Sequence, residues 1–268
     1  MRDPHVVSLC YRLETDPSLI FDHPPPLEHN TDECMLRLAD GVLTCTMKAH
    51  YASAVEARAV VDPRLRAWEL YVALLRGKQV MHFVYQKAEV IDLDPPLPGV
   101  PQVIQATSIE SVEAVDQVTV VLTQPHYPDL PTHFTVSPDV ETLWNRYEGY
   151  VQGLTPLPGM AYVCQSFIEK VLARGRPDAA QKYHIEPEVL GTLGKLHSHR
   201  GDLTSRRKLE HERDRHEPPL TPSEIAWMEA TVRMLIRRVG EYATDPTASW
   251  PTLSMRDLPP YKAGTRGP

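Results

Sequence analysis

The stretch CMLRLADGVLTCTM, residues 34–47, sets the character of the N-terminal half. Asp40-Gly41 stands between two runs of alternating apolar residues, the pattern of a two-residue type I′ hairpin turn with positive φ at both central positions. Such a turn dictates the register: Leu38 opposes Leu43, Leu36 opposes Cys45, and Cys34 opposes Met47. Side chains alternate along a strand, so these six share one face and form core, while Arg37 and Thr44 share the solvated one. Cys34 and Cys45 thus read as small core residues rather than as redox or metal groups.

Downstream, SAVEARAVVDPRLRAWELYVALLRGK (residues 53–78) reads as helical. Ser53 and Glu56 have capping-box spacing, and Asp62-Pro63 marks either a second helix start or a kinked continuation. Leu65, Trp68, Val72 and Leu75 predict the apolar stripe, and Gly77 the stop. The segments QVMHFVYQKAEVIDLD and DQVTVVLTQ, rich in Val and aromatics, predict strands separated by proline-rich loops.

From Ser137 onward the period changes from two to about 3.6. Ser137-Pro138 opens a helix with Val140, Trp144, Tyr147 and Val151 inward. The next, in PLPGMAYVCQSFIEKVLARG, should bury Met160, Val163, Phe167 and Val171 and stop at Gly175. A short third helix falls in EPEVLGTLGKLHS. The last begins at the capping box Thr221-Pro222-x-Glu224 and carries Ile225, Met228, Val232, Leu235, Val239 and Tyr242 at spacings of three and four. Helices with single apolar stripes must pack on one another. The expected fold is therefore α+β: a β-rich N-terminal lobe with an embedded helix (1–136), an antiparallel helical bundle (137–242), and a Pro-rich tail (243–268) with Trp250, Leu253 and Tyr261 as anchors.

Composition bounds the function classes. The chain of 268 residues carries a net charge of −7 and 26 prolines, about double the usual share, mostly at element boundaries. A negative net charge gives no general attraction to nucleic acid or anionic membrane. No apolar run approaches the ~18 residues of a membrane span, and the N-terminus lacks a signal-peptide core, so a cytoplasmic protein is expected. The four cysteines are scattered, with no C-x-x-C. The G-x-S-x-G, H-E-x-x-H and G-x-G-x-x-G patterns are absent. GTLGK, residues 191–195, lacks the spacer and the hydroxyl of a phosphate loop and falls inside a predicted helix. Cys164 lies on an apolar helix face and reads as core.

One segment stands out: HSHRGDLTSRRKLEHERDRH, residues 197–216. Its histidines lack metal-site spacing, because His197 and His199 diverge on a helix, and His211 and His216 face different ways. They read as solvated members of a basic connection, and no metal or cofactor is expected. Arg200, Arg207, Lys208, Arg213 and Arg215 form a candidate nucleic-acid patch, which Arg233, Arg237 and Arg238 of the last helix could extend, though interleaved acids dilute its field.

Within that segment, Arg206-Arg207-Lys208-Leu209-Glu210-His211 has Arg-x4-His spacing just before the last helix. In this respect the helical half resembles the HEPN superfamily of four-helix bundles found in bacterial toxins and defence proteins. The resemblance covers about residues 137–242. It implies metal-independent RNA cleavage, with Arg206 on the scissile phosphate and His211 handling a proton, usually in a homodimer. Two functions are thus expected: a non-catalytic binding or regulatory protein, defence-associated by that resemblance, whose helical lobe dimerises or docks a partner such as RNA; or a HEPN-type ribonuclease.

Overall fold

The Asp40-Gly41 turn takes positive φ at both residues, 50° and 73°, and the hairpin closes in the expected register, Leu38 on Leu43, Leu36 on Cys45 and Cys34 on Met47. The computed structural model describes residues 3–94, 122–199 and 219–260. The chain divides into two compact units, Met1–Thr132 and His133–Pro268.

In the first unit the hairpin is β4 (Cys34–Ala39) and β5 (Val42–Met47). With β1 (Pro4–Thr15), β3 (Leu27–Asn30) and β6 (Met81–Asp92) it builds an antiparallel sheet of order β3-β4-β5-β1-β6. A short strand β2 (Leu19–Phe21) pairs in parallel with β7 (Leu122–Gln124). β7 is the described end of the predicted DQVTVVLTQ strand; the rest lies outside the described residues.

The helix α1 (Ala54–Arg76) is continuous, with Pro63 inside it, so the second of the two alternatives at Asp62-Pro63 holds. Ser53 Oγ accepts from Glu56 N at 3.3 Å, while Glu56 reaches back to Ala52 N rather than to Ser53. Gly77 ends the helix at φ 82° and donates to Ala73 O, as a left-handed cap should. Leu65, Trp68 and Val72 are buried, but Leu75 is exposed and Leu74 takes the inward place. α1 packs on β1 and β6. Its buried face meets Leu9, Tyr11, Leu36, Leu38, Leu43 and Cys45 in one apolar cluster.

Polar links fix how α1 sits on the sheet. Tyr11 Oη donates to Asp62 Oδ1 (2.6 Å), and Arg58 holds Asp62 Oδ2 through Nε and Nη2 (3.1 and 2.9 Å). The Arg58 guanidinium also lies 4.4 Å from the centre of the Tyr85 ring. Burial first, and Asp62 second, push the Tyr11 phenol far above its ordinary pKa, so it remains a donor. On β6, the end strand among the described residues, Phe83 N–H donates to the buried carboxylate of Glu69 at 2.6 Å. A backbone donor at the sheet edge is thereby closed to a further strand.

The second unit is a set of packed helices: α2 (Pro138–Val151), α3 (Leu157–Lys170), α4 (Arg176–Lys182), α5 (Pro187–His199) and α6 (Pro222–Thr244). α2 has its Ser137 cap, and α6 has the complete Thr221–Glu224 capping box. Val140, Trp144 and Tyr147 are buried as expected; Val151 is exposed, and Leu143 completes the stripe.

The α3 prediction needs correction. Val163 and Val171 are exposed, and the buried face runs Leu157, Met160, Ala161, Cys164 and Ile168. α3 carries apolar residues on both sides, and its packing on α2, α5 and α6 selects this one. Gly175, at φ 112°, does not stop α3 but precedes α4. In α6, Met228, Val232, Leu235 and Val239 are buried together with Trp227, Thr231 and Ile236.

The residues after α6 are tied to the unit. Leu253 bridges Ile185, donates to His184 O (2.8 Å) and accepts from Glu186 N (2.9 Å). Arg238 of α6 donates to Pro251 O. At the other end of the unit, Thr135 N donates to Gly240 O (3.2 Å), and the Phe134 ring lies over Gly240 so closely that a Cβ there would fall 2.3 Å from it.

Candidate functional site

Residues of α3 at spacings of three and four (Tyr162, Gln165, Ser166, Glu169) share one face of that helix. By the same rule Gly191, Gly194, Lys195 and Ser198 share a face of α5. Between these faces, with Arg176 of α4 at one side, lies a cavity of about 440 Å³.

Two glycines inside a 13-residue helix cost about 1 kcal/mol each relative to alanine, and the cavity accounts for them. A Cβ at Gly191 would meet nothing within 4 Å, so any side chain there would enter the open space. A Cβ at Gly194 would lie 3.1 Å from Arg176 Nη2. The bare backbone of α5 at Gly191 is thus one wall of the cavity, and the absence of a side chain at Gly194 makes room for Arg176.

The opposite wall is a polar chain. Gln165, only 2% exposed, donates through Nε2 to Glu169 Oε1 (2.6 Å) and Leu190 O (2.9 Å). Both partners accept only, so the Gln165 amide oxygen is turned to His197 Nε2, 2.9 Å away. That orientation places a proton on Nε2, and Nδ1 is hydrogen-bonded to Ser198 Oγ at 3.2 Å. His197 is 7% exposed, and its ring meets the Tyr162 ring edge-on at 5.5 Å. Glu169 also takes Arg176 Nε at 2.8 Å. Lys170 and Lys195, both exposed at the cavity, form no ion pair among the described residues.

Ser198 beside His197 has the outline of a nucleophile and its base. The third member, however, is a neutral amide, which cannot offset the charge of an imidazolium as a carboxylate does. The chain from Ser198 to Arg176 therefore holds its members in place and leaves the two ammonium groups as the reactive feature, an electrostatic one.

The expected site residues Arg200, Arg206, Arg207, Lys208, His211, Arg213 and Arg215 lie outside the described residues. Of the proposed extension on α6, Arg237 and Arg238 are both committed to Glu241 (2.7 and 2.8 Å), and Arg238 is buried, so these two do not widen a basic surface. His197 is corrected as well: it is a buried, doubly hydrogen-bonded residue of α5, not a solvated linker histidine. Burial pushes the Cys164 thiol up to about 12, in keeping with a core residue. Sequence reasoning passed over Gln165, Glu169 and Arg176 entirely. The available signal was the pairing of a Gly-x-x-Gly helix with polar residues at helical spacing on its neighbour.

No protein-family model, no curated protein and no solved structure matches the chain.

Proposed function

We propose that the protein is a non-catalytic binding or regulatory protein whose helical unit holds an anionic group in the cavity between α3 and α5. The supporting observation is the pair of exposed ammonium groups, Lys170 and Lys195, without an ion-pair partner among the described residues, at a cavity floored by glycine and braced by buried Gln165 and His197. Isothermal titration with phosphate, sulfate and malonate tests it. At least one of these should bind saturably, and Lys170→Ala or Lys195→Ala should each weaken it about tenfold, the worth of one charge-assisted hydrogen bond. Equal binding by the lysine variants would refute the reading.

The HEPN-type ribonuclease is the second reading. It is favoured by one arrangement: the Arg206 to His211 segment stands in sequence ten residues before α6, the capped last helix of a packed helical set. Single-stranded RNA incubated with the protein in EDTA should then be cut, and Arg206→Ala or His211→Ala should each lower the rate by on the order of a hundredfold. Intact RNA after prolonged incubation would remove this reading without touching the first.

A further inference from the structure

The cavity's charge, size and lining narrow its ligand. Among the described residues lining the cavity, Lys170, Lys195 and Arg176 face a single carboxylate, Glu169. Among these described side chains, three cations against one anion leave two positive charges, the complement of a dianion. A phosphomonoester carries between about −1.5 and −2 at pH 7, whereas a single carboxylate carries half that. Arg176 presents the rest of its guanidinium fork beyond the Nε used by Glu169, and such a fork suits a phosphate's paired oxygens.

Size argues that the phosphate is not alone. A cavity of about 440 Å³ belongs with sites for small organic molecules, which span roughly 300–1,000 Å³. Its non-ionic lining is of two kinds. The backbone at Gly191, with nothing within 4 Å of where its Cβ would stand, and the Tyr162 ring offer a surface on which a planar group can rest, while Arg176 and Gln165 cover Gly194. Ser166 adds a hydroxyl that can donate or accept, beside that of Ser198, which is shared with His197. A flat ring bearing hydrogen-bonding groups and joined to a phosphate fits that lining.

We propose that the cavity binds a nucleoside bearing a terminal phosphomonoester, its phosphate among Lys170, Lys195 and Arg176 and its base against the open backbone at Gly191 beside Tyr162. This inference rests on the anion-binding reading above and gives it a chemical class. The same chemistry occurs in a free mononucleotide and at the phosphorylated end of an RNA strand.

The test is calorimetric titration of the full chain with adenosine 5′-monophosphate, adenosine, ribose 5-phosphate, malonate, and one short RNA prepared with a 5′-phosphate or a 5′-hydroxyl. The monophosphate should bind at least about tenfold more tightly than adenosine, ribose 5-phosphate or malonate, since each lacks one recognised part. Lys170→Ala and Lys195→Ala should each weaken it about tenfold. Gly191→Leu should abolish it by filling the cavity, while helical circular dichroism and the melting temperature stay at or above wild type. Phosphate-dependent RNA binding as tight as the mononucleotide's would identify strand ends as the source; tighter mononucleotide binding would identify the free nucleotide. Undiminished binding by Gly191→Leu would overturn the location. Equal affinity for ribose 5-phosphate and the nucleotide would overturn the nucleoside assignment. Malonate binding as tight as the nucleotide's, and lost in the lysine variants, would overturn the class while leaving an anion pocket standing. If no anion binds, both readings fail.

Discussion

Replacing Glu241 with alanine should destabilise the helical unit by about 3–5 kcal/mol. Glu241 is 4% exposed and accepts Arg237 Nε at 2.7 Å and Arg238 Nη1 at 2.8 Å; Arg238 is itself 8% exposed. Removing the carboxylate strands a guanidinium inside α6, where it cannot recover its hydration. The loss comes mainly from that stranded charge rather than from the net worth of the pair, because forming a buried ion pair already costs desolvation of both ions. A double variant, Glu241→Ala with Arg238→Met, should therefore recover most of the lost stability although it makes fewer polar contacts. Urea unfolding followed by hydrogen exchange of α6 amides measures both. A double variant less stable than Glu241→Ala alone would show that Arg238 serves chiefly through its bond to Pro251 O, not through the ion pair.

Trp68→Ala should cost the first unit a similar amount, about 3–5 kcal/mol. Trp68 is fully buried on α1, lies 5.0 Å from the Phe83 ring between centroids, and donates through Nε1 to Pro128 O at 3.1 Å. Truncation empties the centre of the contact between helix and sheet and leaves a carbonyl without its donor. Cys34 and Cys45 report the result because both are buried free thiols of the same cluster, and burial holds the Cys45 thiol well above its usual pKa. Their labelling by a thiol reagent requires the unit to open, so the rate should rise on the order of a hundredfold or more in the variant. Labelling at the wild-type rate would mean that α1 does not depend on Trp68 for its place on the sheet.

What the sequence made legible follows from the range of the forces involved. The 34–47 hairpin was readable to single-residue register because its turn chemistry and its alternation are both local. The caps at Ser53, Ser137 and Thr221 were readable for the same reason. β1 was not identified, although it is an inner strand of the sheet, paired with β5 on one side and β6 on the other. Register shifts at Val6/Ser8 and Cys10/Tyr11 break its period of two, so the buried residues Val6, Leu9 and Tyr11 do not alternate cleanly. The inward face of α3 was misjudged because its partners, not its own residues, choose between two apolar sides.

The candidate site was hidden for a related reason. Gln165 and His197 are 32 residues apart, and each, taken singly, is an unremarkable polar residue in a helix. The charged segment 197–216 drew attention by composition alone, yet of its described residues only His197 and Ser198, in the last turn of α5, line the cavity. A local excess of charge says how a stretch meets solvent. A site needs convergence, which depends on contacts between helices.

The ties at the two ends of the helical unit set an order of events during synthesis. Thr135, two residues after the unit begins, can make its bond to Gly240 only when α6 exists, and Ile185 can pair with Leu253 only later still. Chain growth at roughly 5–20 residues per second makes that wait one of several seconds after Thr135 emerges from the ribosome. The first unit, whose described contacts close by Leu130, can complete its core in that interval. The helical unit must instead hold α2 and α3 in incomplete company until residues 251–258 are released. Its nascent apolar faces are the part of this protein most in need of a chaperone.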